Sequence, residues 1–272
     1  MTFTSAPKTP IAVTIAGSDS GGGAGIQADL KTFSALGVYG ATVVTALTAQ
    51  NTVGVQGIHD VPAAFIAQQM DSVFSDLAVD AVKIGMLSQA AVIETVAAGL
   101  ERRGVSRIVL DPVMIATSGD RLIALDAVQA LRTVLIPRAC LITPNLPEAA
   151  ALLDAPVAHR EDEMRRQGEA LLAAGARAVL MKGGHGAGDR SVDLLVEPAG
   201  TTRFEGPRVA TRNTHGTGCS LSAAIAAGLA KGLDLREAVG AAKTWLTSAL
   251  QAADTLRIGH GHGPVHHFHA WW

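Results

Sequence analysis

The sequence predicts an α/β fold in which a mostly parallel central sheet is covered by helices on both faces. Short runs of β-branched and apolar residues alternate with longer stretches of helical periodicity along the chain. Glycines, amides and charged residues close most of these runs, as expected where ligands bind beyond the carboxyl ends of parallel strands. We expect one domain over residues 10–272, preceded by a flexible terminus over residues 1–9.

The elements follow in order from the N-terminus. Ile11–Ala16 is a short buried strand, helical periodicity spans Ile26–Leu36, and Ala41–Ala49 is a second strand that ends at Gln50, so that these residues form one βαβ unit. The later elements are a helix at 62–74, a strand at 81–84, a helix at 89–103, strands at 107–111, 140–143 and 178–182 with helices between them, an antiparallel pair at 192–196 and 201–204, and helices at 215–231 and 235–253.

Composition argues against several classes of function. The 272 residues are 48% hydrophobic with a formal charge of −2, and the scattered Lys and Arg and the single Tyr do not suggest nucleic-acid binding. Cys140 and Cys219 have no paired spacing, which argues against a disulfide framework or a thiolate metal site and favours a reducing cytoplasm. The first apolar run is too short to cross a membrane and has no cleavage pattern.

A glycine-rich junction at residues 213–220, Asn-Thr-His-Gly-Thr-Gly-Cys-Ser, precedes a long apolar helix. Its glycines allow a tight turn, while the helix offers unpaired N–H groups and the positive end of its dipole. The junction therefore indicates either a phosphate site or an ordinary loop before a packing helix. Cys219 lies in the first helical turn, where the helix field can lower the pKa of the thiol and make it a base or nucleophile.

Two common phosphate-binding designs are absent from the sequence. A dinucleotide site requires Gly-x-Gly-x-x-Gly with an acidic residue about twenty positions later, and Gly21–Gly25 does not match that spacing. No Walker-type Gly-x-x-x-x-Gly-Lys-[Ser/Thr] occurs either. Phosphate binding must therefore use another design.

Three charged residues lie at or after predicted strand ends. Asp111 and Glu148 have an amide nearby and suit Mg²⁺ that bridges phosphate oxygens, although such residues also cap helices or face solvent. Lys182 ends an apolar strand before several glycines, so it is either a ligand of a nucleotide phosphate or a solubilising lysine at a strand end.

The C-terminal tail is rich in histidine. Five such residues occur within ten positions: His260, His262, His266, His267 and His269. Their spacing matches no helical His pair with an acidic third ligand, and glycines separate the first of them. We therefore do not predict a metal site in the tail.

Several motifs occur in a fixed order along the chain. They are Ala-Gly-Ser-Asp-Ser-Gly-Gly-Gly-Ala-Gly-Ile-Gln-Ala-Asp at 16–29, Thr-Ala-Leu-Thr-Ala-Gln-Asn at 45–51, Lys-Ile-Gly-Met at 83–86, Asp-Pro-Val-Met at 111–114, Thr-Pro-Asn-Leu-Pro-Glu at 143–148 and the Cys219 loop. Together they resemble the hydroxymethylpyrimidine/phosphomethylpyrimidine kinases of thiamine biosynthesis, a branch of the ribokinase-like superfamily. The resemblance runs from about residue 10 to residue 269, includes the Gly-His-Gly-Pro-Val ending, and implies a ribokinase-like three-layer fold.

The resemblance implies a substrate site at the strand ends. Residues matching the family's pyrimidine contacts are Gly17, Asp29, Gln50, Met86, Val113 and Cys219. A carboxamide such as Gln50 can donate to a ring nitrogen and accept from an exocyclic amine at once, which suits an aminopyrimidine. Met86 and Val113 would give flat apolar contact to the ring, or they are ordinary core residues.

The resemblance also implies ATP as phosphoryl donor and Mg²⁺ as its metal. Residues expected at the nucleotide phosphates are Lys182, Asn145 and Thr214, with Asp111 and Glu148 at the metal. The backbone N–H groups of Gly216, Thr217, Gly218 and Cys219 would form an anion hole for the transferring phosphoryl group. Cys219 would be the general base, or it would only pack against the substrate while the phosphates accept the proton.

The implied activity is ATP-dependent phosphorylation of 4-amino-5-hydroxymethyl-2-methylpyrimidine, and then of its monophosphate, in thiamine diphosphate biosynthesis. Two rival functions are a pyridoxal or pyridoxine kinase on the same fold and a non-catalytic pyrimidine-binding regulatory protein. Gln50 favours the aminopyrimidine, because an analogue without the amine leaves a polar group unpaired. Members of the family are often homodimers, and Ser118–Asp120 together with the glycines of 183–188 are candidates to cover the site.

Overall fold

The computed structural model describes residues 8–114, 124–184 and 188–272. The helices and strands are β1 (Ile11–Ala16), α1 (Gly25–Ala35), β2 (Tyr39–Val44), β3 (Ala46–Gln50), β4 (Val55–Asp60), α2 (Ala63–Asp76), β5 (Ala81–Ile84), α3 (Ala90–Arg102), β6 (Ile108–Leu110), α4 (Leu125–Ala130), β7 (Leu141–Ile142), α5 (Leu146–Leu153), α6 (Glu161–Ala173), β8 (Val179–Lys182), β9 (Arg190–Glu197), β10 (Gly200–Pro207), α7 (Thr217–Ala230) and α8 (Leu235–Gln251).

The main sheet has eight strands in the order β10-β9-β8-β7-β6-β5-β1-β2. Six neighbouring strands, β2, β1, β5, β6, β7 and β8, are parallel, whereas β9 and β10 add an antiparallel edge. Parallel strands need long crossover connections, and the intervening helices supply them. The predicted α/β class, the mostly parallel sheet and the antiparallel pair near its edge are confirmed.

Helices cover both faces of this sheet, as predicted. Successive side chains of a strand point to opposite faces, so Val13 contributes to one apolar cluster and Ala12 to the other. The Val13 cluster includes residues of α2 and α3, and the Ala12 cluster includes residues of α7 and α8. Because the central strands are buried on both faces, their sequences are nearly continuous apolar runs.

The single strand predicted at Ala41–Ala49 is wrong: β2 ends at Val44, and β3 leaves the main sheet to pair with β4 in a separate antiparallel hairpin. The break lies at Thr45, whose N–H donates to Ala16 O at 3.0 Å and whose hydroxyl donates to Met86 O at 3.2 Å. These long-range contacts turn the chain away from the sheet. Gln50 therefore ends a strand of the β3–β4 hairpin and not a strand of the main sheet.

The N-terminus of α7 is brought to the strand ends by the burial of the rest of the helix. Its residues from Ser220 to Ala230 are all buried, consistent with a sequence that is small and apolar on every side. The helix packs against α1 and against β1, β5 and β6. The glycine-rich junction that precedes it consequently lies over the carboxyl ends of the central strands.

Candidate active site

The turn into α7 has a conformation that requires glycine. Gly216 has a φ of 77°, and a Cβ added there would lie 1.9 Å from the carbonyl oxygen of Gly23. The junction thus packs backbone against backbone on the N-terminal glycine loop. Among the four predicted anion-hole amides, that of Thr217 already donates to Thr214 O at 3.2 Å, whereas the other three have no hydrogen-bond acceptor among the described residues.

Next to this junction lies a buried cluster of charged side chains: Asp111, Glu148 and Lys182. The Lys182 ammonium is 2.8 Å from Asp111 Oδ1 and 3.8 Å from Glu148 Oε2. A Cβ added at Gly218 would be 3.4 Å from Lys182 Nζ and 3.7 Å from Asp111 Oδ2. The structure therefore brings together the predicted lysine, both predicted carboxylates and the predicted anion hole.

Burial and proximity set the protonation of this cluster. Burial opposes ionisation of Asp111, but the neighbouring Lys182 and Lys83 ammonium groups outweigh it and hold the pKa of this carboxyl below its ordinary value. Burial raises the pKa of Glu148 to about 7, with the opposing effect of Lys182 and a further increase from Asp111. One carboxylate is therefore firmly ionised at neutral pH, whereas the other titrates near it.

Asp111 is held in place by hydroxyl groups. Thr143 donates to Oδ1 at 3.0 Å, and Ser222, one turn into α7, donates to Oδ2 at 3.2 Å. Val113 is half-buried, and its N–H donates to the carbonyl oxygen of Asp111 at 2.8 Å. These contacts fix the carboxylate between β6, β7 and α7.

Glu148 has the helix-capping role that the sequence left open. Asn145 is the N-cap of α5: its side-chain oxygen accepts from Glu148 N at 2.8 Å, and Glu148 Oε2 accepts from Asn145 N at 2.7 Å. This reciprocal pair satisfies two otherwise unpaired amides. It also holds Glu148 beside Lys182, so capping and placement in the charged cluster go together.

The predicted pyrimidine contacts Gly17 and Met86 touch each other. A Cβ added at Gly17 would lie 2.8 Å from Met86 Cε, so a larger residue at this position would require the end of the methionine side chain to move. Gln50 is in direct contact with the loop of residues 17–20, because Gln50 N donates to Ser20 Oγ at 2.9 Å. Its own side-chain oxygen accepts from Thr48 Oγ1 at 3.2 Å.

Asp29 lies deeper than the other predicted contacts and pairs with a residue that the sequence reasoning did not single out. Asp29 Oδ2 is 2.8 Å from Lys83 Nζ, and both side chains are fully buried. Thr14 donates to the same oxygen at 2.6 Å, while Asp29 Oδ1 is buried and has no hydrogen-bond partner among the described residues. The available signal was a lysine inside the otherwise apolar strand β5.

The predicted lowering of the Cys219 pKa is wrong for this structure. Burial raises the pKa of the thiol to about 11, and the carboxylates of Asp29 and Asp111 add to the increase, although Lys83 opposes it. The helix terminus does not offset the loss of solvation of the thiol. Cys219 is therefore a thiol at neutral pH and not a ready general base.

A second missed pair, Asp19 and His215, joins the two glycine loops. Asp19 accepts from the amides of Gly21, Gly23 and Ala24 at 2.8–3.0 Å, and its Oδ2 is 2.8 Å from His215 Nε2. Burial opposes ionisation of Asp19, but these hydrogen bonds hold the pKa below its ordinary value. Both residues stand in motifs visible in the sequence, yet their 196-residue separation hid the contact.

The tail histidines are spread over different contacts. His267 is buried, with its Nε2 3.0 Å from Ser220 Oγ in α7, and burial lowers its pKa to about 3. His262 Nδ1 is 3.1 Å from Arg212 O. The described residues contain no cluster of three His, Cys, Asp or Glu side chains able to hold a metal.

The remaining expectations fall partly outside the described residues. Ser118–Asp120 and Gly186, proposed to cover the site, lie in 115–123 and 185–187, and residues 1–7 of the expected flexible terminus are also outside. Over the described ranges, no helix combines the length and hydropathy needed to cross a bilayer.

Comparisons with known proteins agree on one family. A model of the phosphomethylpyrimidine kinase family matches residues 19–266. The hydroxymethylpyrimidine/phosphomethylpyrimidine kinase of Rhizobium meliloti is 60% identical over 264 residues, covering 97% of this chain and 99% of that protein.

Two solved structures share the fold. Phosphomethylpyrimidine kinase from Clostridium difficile superposes with a TM-score of 0.79 at 44% identity, covering 89% of this chain and all of that one. An ADP complex of Bacillus subtilis pyridoxal kinase superposes with a TM-score of 0.88 at 36% identity, covering 96% and 98% of the two chains.

Proposed function

Because this chain belongs to the phosphomethylpyrimidine kinase family, we propose that it transfers the γ-phosphoryl group of ATP to the hydroxymethyl group of 4-amino-5-hydroxymethyl-2-methylpyrimidine. The monophosphate then accepts a second phosphoryl group to give the diphosphate used in thiamine diphosphate biosynthesis. The observation that carries the proposal is the close approach of Gly218 to Lys182 and Asp111 at the start of α7. A helix N-terminus beside a buried cation is a site for a transferring phosphoryl group.

The nucleotide lies on the charged side of the junction in this proposal. Lys182, Asn145 and Thr214 contact its phosphates, and the amides of the junction receive the transferring group. Asp111 and Glu148 would hold Mg²⁺, because their hard carboxylate oxygens converge within 4 Å of the same Lys182 ammonium group. When bound, the metal supplies charge neutralisation at the phosphate oxygens.

The pyrimidine lies on the other side of Cys219, against Gly17, Gln50, Met86 and Val113. Asp29 Oδ1, buried without a partner among the described residues, is the acceptor that a substrate N–H or O–H would satisfy. Such a contact would offset the cost of burying an unpaired carboxylate oxygen this deep beneath the site.

In the transfer step, the hydroxymethyl oxygen forms a bond to the γ-phosphorus while the bond from that phosphorus to the β–γ bridging oxygen breaks. ADP leaves with the electron pair of that bond. The hydroxyl proton passes to an oxygen of the transferring group, because the Cys219 thiol, with a pKa of about 11, already carries its own proton. Cys219 then acts as a packing contact.

A coupled assay of ADP release tests the activity with hydroxymethylpyrimidine, its monophosphate, pyridoxal and pyridoxine as separate acceptors. We expect turnover with the first two, with kcat/KM well above that for the pyridoxal vitamers. No ADP release with hydroxymethylpyrimidine would overturn the assignment. No diphosphate formed from the monophosphate would overturn the second transfer alone.

Pyridoxal phosphorylation is the second candidate activity. It is favoured by the TM-score of 0.88 with a pyridoxal kinase, although that relative is 36% identical, against 60% for the pyrimidine kinase. A pyridine vitamer also has a hydroxymethyl arm on a six-membered nitrogen ring. A kcat/KM for pyridoxal above that for hydroxymethylpyrimidine would make it the principal activity.

A homodimer in the cytoplasm completes the proposal. Leu47 and Ile58 in the β3–β4 hairpin and Phe65 in α2 are large apolar side chains that are 51%, 42% and 54% exposed. The hairpin register pairs Leu47 with His59 and Ile58 with Thr48, so Leu47 and Ile58 lie on opposite faces of the hairpin. Exposed apolar side chains often mark protein interfaces. Sedimentation at micromolar concentration should give twice the chain mass, and Leu47→Glu should yield monomers if the Leu47 face is the interface.

A further inference from the structure

The Gly-His-Gly-His-Gly segment of the tail, Gly259–Gly263, has contacts that the proposed function does not use. We call this segment the glycine strap. It follows α8, and the side chains of His260 and His262 are exposed. Its glycines lie against two other parts of the chain, with too little room for a side chain at any of the three.

One end of the strap binds the tip of the β3–β4 hairpin. His262 N donates to Thr52 O at 2.9 Å, and Gly261 N donates to Thr52 Oγ1 at 3.1 Å. A Cβ added at Gly261 would lie 2.0 Å from Thr52 O, and one added at Gly259 would lie 2.2 Å from Thr52 Oγ1. Backbone therefore packs directly on backbone at this contact.

The other end binds the glycine-rich junction. His215 N donates to Gly263 O at 3.0 Å, and His215 forms a parallel β-bridge with Pro264. A Cβ added at Gly263 would lie 2.1 Å from Asn213 Oδ1. The strap thus spans the distance from the hairpin tip to the residue immediately before Gly216.

Gln50 lies between these two attachments. It precedes Thr52 by two residues, and its Nε2 is 3.5 Å from His215 Nε2. The gap bounded by Gln50, the tip residues 51–54, His215 and His262 has a volume of about 20 Å³. That volume admits about one water molecule, so the hairpin tip, the junction and the strap lie close together around Gln50.

We propose that the glycine strap is a positioning element for the reaction, with Thr52 as its principal positioning residue. A two-stranded hairpin outside the main sheet is marginally stable by itself. Hydrogen bonds with Ser18 and Ser20 attach its strand β3 to the loop after β1, and the strap attaches its tip. The strap holds the hairpin so that Gln50 faces the pyrimidine, and it fixes that hairpin relative to the junction amides. This inference rests on the proposed function, because it assigns Gln50 to pyrimidine binding.

Gly261→Ala tests the strap by forcing a methyl group against Thr52 O. The matched control is Gly57→Ala in the same hairpin, where the added Cβ would have only Ala49 Cβ nearby, at an ordinary 3.9 Å. We expect Gly261→Ala to raise the Kd for hydroxymethylpyrimidine, measured by calorimetry without ATP, roughly tenfold, the effect of losing one or two hydrogen bonds. Its Kd for ATP should change less than about twofold, and Gly57→Ala should match wild type in both.

Thr52→Val and Thr52→Ser provide a second test if Gly261→Ala does not fold. The valine removes the acceptor for Gly261 N–H, whereas the serine keeps it. We expect weaker pyrimidine binding and faster amide exchange over residues 46–60 in the valine variant, with both restored in the serine variant. Unchanged pyrimidine affinity and exchange in a folded Gly261→Ala or Thr52→Val protein would overturn the proposal.

These outcomes distinguish a failure of the strap proposal from a failure of the proposed function. If wild type neither binds nor phosphorylates hydroxymethylpyrimidine, the proposed function fails, and the exchange measurement alone then decides whether the strap holds the hairpin. If wild type is active and the strap variants bind the pyrimidine normally, only the positioning role fails.

Discussion

The two halves of the site differ in the residues that form them. The nucleotide half, Asp111, Glu148 and Lys182, consists of charged side chains at the ends of main-sheet strands or in the helix that follows. The pyrimidine half consists mainly of the glycine loops and the β3–β4 hairpin above the buried Asp29–Lys83 pair, and a Cβ added at Gly216 would lie 1.9 Å from the carbonyl oxygen of Gly23. One half depends on charge compensation and the other on close backbone contact.

This difference predicts different responses to substitution. In the nucleotide half, removing one charge leaves the others buried and uncompensated, so we expect a fall in kcat/KM with little change in the Kd for the pyrimidine. In the pyrimidine half, adding one methyl group displaces a loop, so we expect kcat/KM and the free energy of unfolding to fall together. Four substitutions test this contrast, beginning with the largest expected effect on kcat/KM.

Lys182→Met should produce the largest fall in kcat/KM of the four substitutions. It removes the only cation within 4 Å of Asp111 and Glu148 among the described residues, and with it a phosphate ligand. We expect kcat/KM to fall about 10³-fold, as when a preorganised charge at a phosphoryl-transfer site is lost. The Kd for hydroxymethylpyrimidine, measured by calorimetry, should stay within about threefold of wild type, because the two halves are separate.

Lys243→Met is the matched control for this loss. Lys243 pairs with Asp193 at 2.6 Å and is about as buried as Lys182, but it lies on the antiparallel side of the sheet. We expect similar destabilisation with kcat/KM within about fivefold of wild type. Equal losses of activity in the two variants would mean that burial of an unpaired aspartate, and not the site cation, accounts for the effect.

The sequence predicts the nucleotide half better than the pyrimidine half, and the same difference in construction explains why. Strand ends are visible as apolar runs closed by polar residues, so the sequence alone identifies Asp111 and Lys182. The break at Thr45, the buried Asp29–Lys83 pair and the Asp19–His215 contact depend on residues far apart in the chain. No local pattern reports such contacts, and the Cys219 pKa was misjudged because burial, which raises it, is also a tertiary property.

Gly216→Ala should give the next largest effect. The alanine would need a φ of 77° and would place Cβ 1.9 Å from Gly23 O, so the junction must move. We expect kcat/KM to fall about 10²-fold, as for a displacement of about 1 Å at a reacting centre. Activity and the midpoint of urea unfolding should be measured on the same preparation.

Gly232→Ala separates the two causes. Gly232 has a φ of 88° but open space around its Cβ position, so the substitution costs only the backbone strain, about 1 kcal/mol, with no effect on activity. If Gly216→Ala is no more harmful than this control, then close packing of the two glycine loops is unimportant for the reaction.

Glu148→Gln should have a smaller, pH-dependent effect. Since the Glu148 pKa is about 7, wild-type kcat/KM for MgATP should rise with pH through about 7 as the carboxylate forms. The glutamine variant should lack this rise and be about tenfold less active at pH 8. A rise of the same size in both proteins would assign the titration to another group.

The same pKa fixes the sign of a stability effect. Glu148 binds its proton more tightly in the folded chain than at its ordinary value of 4.5, so its contribution to stability is present below that pH and is lost as the pH rises through about 7. The Tm of Glu148→Gln minus that of wild type should therefore be more positive at pH 8 than at pH 5. The cap of α5 is retained, because a glutamine oxygen can still accept from Asn145 N.

Cys219→Ala should have the smallest effect, because Cys219 lies where the two halves meet and carries no charge at neutral pH. A general base contributes about 10²-fold or more, so a loss below about tenfold identifies a packing contact. Cys219→Asp, which supplies a carboxylate base, should then be no better than the alanine. A loss of at least 10²-fold in alanine that aspartate restores would instead mean that bound substrates lower the thiol pKa far below the value of about 11.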